Sequence, residues 1–386
     1  MRVLSALSYY RPYTSGLTIH AERLAAALVR RGHQVTVVAS RHEDALEARE
    51  CVNGVSVVRV PIAARIGKVP VMPSLVSTVW RLAAEADVLH LHLPQADGPL
   101  IAAAGRARGL PVVATSHCDA RFPAGLMGGL ATVASGWCDR MTAALSRRVI
   151  SYTQDYAAHS RFLRRLDGRL AVVPPPVPEL VVDPHARDQS RSEWGLQGRR
   201  PIIGMAARLA AEKGVDVLLG ALPRVLDRFP GAVVAFAGQY EGVLGEEATR
   251  RRLEPELHRM GEAGHWRFLG TLGPQEMASF VSMLDVMVVP SLNRTESFGL
   301  VQVEAMLAGT PVVASDLPGV RQTVRTTGMG RIVPPGDAGA LAAALIDVID
   351  GPPVAEEAIN ELRRRHDPDQ VAAEVEHIYR ASARRR

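Results

Sequence analysis

The sequence predicts an α/β protein with two parallel-sheet domains. Short apolar, β-branched runs alternate with longer amphipathic stretches, which is the pattern of βαβ units. A proline- and charge-rich stretch, "PPPVPELVVDPHARDQSRSEWGLQGRR" (174–200), interrupts that alternation, which then restarts. The length, 386 residues, also exceeds one ordinary domain.

The first domain is expected over 1–178. Its strand candidates are "RVLSALS" (2–8), "QVTVVAS" (34–40), "VSVVRV" (55–60), "DVLHLHL" (87–93), "PVVATSH" (111–117) and "RVISYT" (148–153). Helical stretches separate them, among them "AERLAAALVRRG" (21–32), which closes on a glycine. Residues 179–200 are expected to be a linker. The second domain, 201–367, repeats the pattern with "PIIGMAAR", "AVVAFAG", "WRFLG", "DVMVVPS", "TPVVAS" and "GRIVPP". A closing helix is expected over 368–386, with Asp367 and Asp369 as its caps rather than a metal-binding pair.

Composition narrows the class. At 47% apolar and 22% charged, the chain has the makings of a folded core, and no apolar run reaches the roughly 18 residues of a membrane span. Cys51, Cys118 and Cys138 are widely spaced and match no metal or redox motif, so a reduced, cytoplasmic setting is expected. The net charge of +5 is spread along the chain, and no nucleic-acid partner is expected. The stretch 63–87 carries Arg65, Lys68 and Arg81 around apolar residues. It has two readings, an ordinary packing helix with charged flanks or a weak peripheral membrane surface.

In open α/β sheets ligands bind beyond the carboxyl ends of the strands, so the loops there are where chemistry is sought. After the first strand, Ser15 and Gly16 precede a helix expected near Thr18, whose N-terminus favours a phosphate. His117 ends a core strand at the ligand-facing end. His90 and His92 share one strand face; they suggest a metal pair, but no third ligand follows at suitable spacing, so structural or cleft-lining roles are expected. Arg208 and Lys213 share the first loop of the second domain, where an arginine fork and a lysine point charge suit a diphosphate. Glu296 lies in a polar loop ahead of a helix that starts with Ser297, Phe298, Gly299 and Leu300, and their amides suit an anion. Glu304 follows within that helix, among apolar neighbours. A helical path would put the two carboxylates about 12 Å apart at most, at roughly 1.5 Å per residue.

Together these segments resemble the GT-B glycosyltransferases of family 4, retaining enzymes that use nucleotide sugars. The resemblance runs through the glycine loop with "HAERLAAALVRRGHQVTVV", "DVLHLH", "ATSH", "ARLAAEKGVDVLLGAL" and "ESFGLVQVEAMLAGTPVVAS". Glu296 and Glu304 match the family's paired glutamates, seven residues between them. The resemblance implies two facing Rossmann-like domains with a cleft between them and a C-terminal crossover helix. It further implies that Arg208 and Lys213 bind the donor diphosphate and stabilise the leaving group. Glu304 would hold the ribose, Glu296 the sugar hydroxyls, and the amides of Phe298, Gly299 and Leu300 the sugar and phosphate. His117 would contact the donor sugar, and Gly16 would approach the diphosphate. The implied donor is a nucleotide sugar, UDP-linked most often, with no metal or cofactor. The acceptor, whether small molecule, glycan or lipid, stays open. An epimerase of the same fold and a non-catalytic sugar-nucleotide binder are the alternatives. Two departures stand out: Ser15-Gly16 replaces a double glycine, and "AGQYEGVLGEE" replaces a compact glycine turn after the strand at 232–238.

Overall fold

The computed structural model describes residues 1–383 except 68, 121, 123, 124 and 167. The chain forms two compact units, Met1–Val177 with Arg365–Arg386, and Pro178–Arg364.

The first unit is built on an eight-stranded sheet. Its elements begin with β1 (Arg2–Ala6), α1 (Gly16–Arg30), β2 (Gln34–Arg41), β3 (Arg49–Val52) and β4 (Val55–Pro61). A small hairpin of β5 (Ala64–Ile66) and β6 (Val69–Val71) leads to α2 (Leu75–Leu82), β7 (Val88–Leu93), α3 (Gly98–Ala107) and β8 (Val112–Ser116). Then come α4 (Leu126–Leu145), β9 (Arg148–Ser151), α5 (Gln154–His159) and β10 (Leu170–Val172). The strand order is β10-β9-β8-β7-β1-β2-β4-β3, parallel except for the antiparallel edge strand β3.

Because side chains alternate along a strand, each strand feeds two cores. Val3, Val88 and Val113 face the layer of α1 with Leu24 and Leu28. Leu4, Leu89, Leu91 and Ala114 face the layer of α2 and α3 with Val79 and Ile101.

The second unit opens with α6 (Pro184–Glu193), inside the stretch expected to be a linker. Pro184 sits in its first turn, where a missing N–H costs nothing, and Asp183 caps it by accepting from the His185 amide at 2.9 Å. Proline and charge here mark a helix start, not an unstructured connection. There follow β11 (Ile202–Ala206), α7 (Val215–Arg228), β12 (Val233–Ala237), α8 (Glu247–Glu262), β13 (Trp266–Gly270) and α9 (Pro274–Ser282). The unit continues with β14 (Val286–Val289), α10 (Leu300–Leu307), β15 (Val312–Ser315), α11 (Val320–Thr327), β16 (Gly330–Val333), α12 (Ala338–Ile349) and α13 (Glu356–His366). Its six strands are all parallel, in the order β13-β12-β11-β14-β15-β16.

The closing helix α14 (Pro368–Ala383) packs in the first unit, where Val371, Val375 and Tyr379 join the α1 core. Asp367 caps it, accepting from the amides of Asp369 and Gln370. Asp369 pairs with Arg30 at 2.8 Å, and Glu376 with Arg31 at 2.9 Å. The two aspartates therefore cap and anchor a helix.

Candidate active site

In the second unit, two loops at strand ends are tied together. Lys213, which follows β11, donates to Glu296 Oε2 at 2.6 Å, and both side chains keep about a fifth of their surface exposed. The other oxygen of Glu296 accepts the Gly299 amide at 3.0 Å. The Leu292 amide donates to the Glu212 carbonyl at 2.9 Å. Gly214, with φ +71°, lies so close to the other loop that a Cβ would come within 2.0 Å of the Pro290 carbonyl oxygen. Only glycine lets α7 start there. Arg208 stands on the same loop, 3.9 Å from Glu212 and 30% exposed.

The loop after β11 thus meets the loop after β14 through the Glu296 carboxylate, the Leu292–Glu212 backbone bond and the close approach of Gly214 to Pro290. Gly299, with φ +76°, ends that second loop and opens α10. The expected row of open amides is shortened by this geometry, because the Gly299 N–H is taken up by Glu296. Ser297 and Phe298 are buried, and Leu300 is partly so. Glu304 is 6% exposed, on a helix whose Val303, Ala305 and Met306 are fully buried. It is no helix-surface residue, and a buried carboxylate is retained only where something balances its desolvation.

In the first unit the expected histidines His90, His92 and His117 gather in a buried polar seam on the α1 face of the sheet, while Ser15 is part-buried and Gly16 exposed at the start of α1. Ser15 caps α1: its Oγ accepts from the Thr18 amide and its own amide donates to Thr18 Oγ1. This explains a serine beside Gly16, and the helix starts at Gly16, not Thr18. His117 continues the β8 pairing, its amide donating to the Leu93 carbonyl at 2.9 Å. Its Nδ1 meets Tyr152 Oη at 2.5 Å, and its Nε2 meets His92 Nδ1 at 2.9 Å. His92 Nε2 in turn meets Ser5 Oγ at 3.0 Å. His90 lies between Tyr379 Oη at 2.6 Å and Thr115 Oγ1 at 2.8 Å.

Burial holds His20, His90 and His117 well below the ordinary imidazole pKa, and His92 at about 3. These rings are neutral near pH 7. Both ring nitrogens of His117 are engaged within the protein, so the side chain is not placed as a free acid or base toward a sugar. The cleft-lining alternative for His90 and His92 gives way to a structural one, since both rings are buried. Sequence reasoning missed His20, Tyr152 and Tyr379. His20 lies four positions after Gly16, one turn along the same helix face, and that spacing was the available signal for His20.

The stretch with Arg65, Lys68 and Arg81 is not one amphipathic helix. Arg65 lies in the β5–β6 hairpin and donates to the His42 carbonyl, Lys68 lies outside the described residues, and Arg81 lies in the last turn of α2, whose Leu75 and Val79 are core. Among the described residues, no helix is long and apolar enough to cross a membrane.

Two parallel α/β sheets in successive units, with a closing helix that returns to the first unit, match a GT-B architecture, and the protein is a glycosyltransferase. The family described as Glycosyltransferase Family 4 matches residues 14–179, and that described as Glycosyl transferases group 1 matches 186–365. The chain belongs to this family of GT-B glycosyltransferases. It is 31% identical to the phosphatidyl-myo-inositol mannosyltransferase of Mycobacterium tuberculosis, over 99% of this chain and 97% of that protein. It is 29% identical to the GDP-mannose-dependent alpha-(1-6)-phosphatidylinositol monomannoside mannosyltransferase of Mycolicibacterium smegmatis, over 89% of this chain and 88% of that protein. Among solved structures, Anabaena Alr3699/HepE in complex with UDP and glucose superposes with a TM-score of 0.78, at 20% identity, over 97% of this chain and 98% of that chain. At that identity the superposition speaks for the fold.

Proposed function

We propose that the chain transfers a hexose or N-acetylhexosamine, with retention, from a nucleoside diphosphate sugar to an acceptor hydroxyl. The observation that carries this is the Lys213–Glu296–Gly299 connection between two strand-end loops, with Arg208 beside it. A lysine held by a carboxylate that also binds a helix-start amide is fixed in place before any ligand arrives, as electrostatic stabilisation of a leaving group requires. When the anomeric C–O bond breaks, its electron pair stays on the diphosphate oxygen, and Lys213 and Arg208 offset that charge. The acceptor oxygen bonds to the anomeric carbon on the same face, and its proton passes to the departing phosphate oxygen. Glu296 then has two duties, orienting Lys213 and accepting from sugar hydroxyls. Glu304 accepts from the ribose hydroxyls.

UDP-sugars are the first expected donors. GDP-mannose is a second reading, favoured by the mannosyltransferase relatives. The assay follows nucleoside diphosphate release from UDP-glucose, UDP-N-acetylglucosamine and GDP-mannose, each with and without a phosphoinositide or polyol acceptor and without added divalent metal. Acceptor-dependent release from one donor supports the proposal and names its base. Full activity in both Lys213→Ala and Glu304→Ala would refute the site.

For the acceptor side we favour a lipid-linked hydroxyl and a cytoplasmic enzyme that meets the membrane peripherally. Leu130, Val133, Trp137 and Met141 lie along α4 at spacings that keep them on one face, and each is 52–60% exposed. Arg140 flanks them. Flotation with anionic vesicles tests this: a Trp137→Ser, Met141→Ser chain that floats as well as the natural one removes α4 from the reading.

A further inference from the structure

The seam beneath His117 holds a feature the transfer reaction does not use. His20 from α1, His92 from β7 and His117 from the end of β8 each bring a ring nitrogen to one place, and these three atoms all lie within 4.8 Å of one another. All three side chains are buried; His20 is 3% exposed. We propose that His20, His92 and His117 form a binding site for a transition-metal cation of the zinc class.

His20 is the first reason. Neither of its ring nitrogens has a hydrogen-bond partner, although the residue is buried in the first turns of α1. An imidazole in that position pays desolvation at both nitrogens with no return unless something else binds there. Its ring stands edge-on to His117, with centroids 5.0 Å apart, and 6.1 Å from His92.

The second reason is the outer partners. A metal-bound histidine has its other nitrogen held by a neighbouring oxygen, which sets its tautomer and orientation. Here Ser5 Oγ lies 3.0 Å from His92 Nε2, and Tyr152 Oη lies 2.5 Å from His117 Nδ1. That leaves His92 Nδ1 and His117 Nε2 turned to each other at 2.9 Å. His90, nearby and stacked on His92, has both nitrogens occupied by Tyr379 and Thr115 and is thereby left out of the set.

The chemistry fits. Zinc binds neutral imidazole at about 2.0–2.1 Å, which places two nitrogens of a tetrahedral site roughly 3.3 Å apart. The His92–His117 pair would open slightly and His20 close in. Both inner nitrogens must offer lone pairs, so the protons lie on the outer ones, with His92 Nε2–H donating to Ser5 Oγ and His117 Nδ1–H to Tyr152 Oη. One of these two rings changes tautomer on binding, and no net proton is released. Three imidazoles leave a fourth position for water or a small anion. Borderline-soft nitrogen donors select zinc, cobalt, nickel or copper over magnesium and calcium.

The test needs no sugar donor, so its failure is separate from failure of the transfer reading. Untagged full-length protein is stripped with chelator and titrated with zinc chloride, and bound metal is measured by elemental mass spectrometry after gel filtration. Cobalt chloride then reports the ligand field by its visible absorption. The expected result is one equivalent of zinc, cobalt bands of a four- or five-coordinate nitrogen site, and a raised melting temperature with either metal. His20→Leu should abolish uptake while folding, because the lost imidazole leaves no hydrogen-bond partner stranded. His92→Gln is the second variant and decides the matter if His20→Leu fails to fold. No uptake by the natural chain, or unchanged uptake in the folded variants with the metal on exposed residues such as His159 or His258, overturns the proposal.

Discussion

The two units place polar groups at their strand ends in opposite ways. In the first, Ser5, His90, His92, Thr115, His117 and Tyr152 sit under the surface, satisfy one another and carry no charge. In the second, Arg208, Lys213 and Glu296 are charged and keep a fifth to a third of their surface in solvent. Burial is the physical difference. A neutral ring can be taken out of water if its nitrogens find partners, whereas a cation stays where water or a counter-ion reaches it. The charged groups on which the proposed transfer relies therefore lie in the second unit, while the strand-end polar groups of the first are buried and neutral.

The largest expected effect breaks the comparison on the charged side. Lys213→Ala should lower kcat/KM by about 100- to 1,000-fold, the usual result of removing one preorganised stabilising group. Lys213→Arg should recover part of it. Steady-state kinetics of both variants check this, and near-natural kinetics of Lys213→Ala would move the charge chemistry elsewhere.

Acid should break the other side next. His92 has a folded pKa of about 3, below the ordinary value near 6.5, so the unfolded chain binds the extra proton first. Its contribution is complete above pH 6.5 and is lost as pH falls toward 3. His92 alone removes about 2 kcal/mol between pH 6.5 and 5. His20, His90 and His117 act in the same direction. Urea unfolding across that range, followed with a probe in the first unit, should show the steep loss. A flat profile would mean the rings are not buried as neutral groups.

Tyr379→Phe sharpens the picture more gently. It takes the phenol from His90 Nδ1 and leaves that nitrogen buried without its partner, at a cost of about 1–2 kcal/mol in the same unfolding measurement. The smallest change is expected from Glu376→Gln. The Arg31 guanidinium holds the Glu376 carboxyl at about 2, so the tie between α1 and α14 is present above pH 4.5 and fades below it. The pair is partly open to solvent, and its loss should cost about 0.5–1 kcal/mol. That difference should vanish near pH 2.

Much of the fold was legible because a parallel strand buried on both faces reads as an unbroken β-branched run. "VTVV", "VVAF" and "VMVV" are such runs, and each lies within a strand. The edge strand β3, "RECV", and the β5–β6 hairpin escaped notice because partly exposed strands carry no such run. In 179–200, composition suggested a linker, while Pro184 and Asp183 were already the start of α6. At the candidate site, the loops carrying Arg208, Lys213 and Glu296 were readable from their place after strands. That Lys213 meets Glu296, and that Glu296 occupies the Gly299 amide, was not readable, since the ion pair's partners lie 83 positions apart.

The sequence by itself determined the two βαβ series, the order of their loops and the family signature around Glu296 and Glu304, because periodicity and motif spacing are local properties of the chain. Only the tertiary structure decided which side chains meet. It brought His20 to His92 and His117, closed both nitrogens of His117, and drew Tyr379 from the far end of the chain onto His90. Those contacts join residues from separate strands and helices, and a hydrogen bond or a shared cation depends on distances that only packing sets.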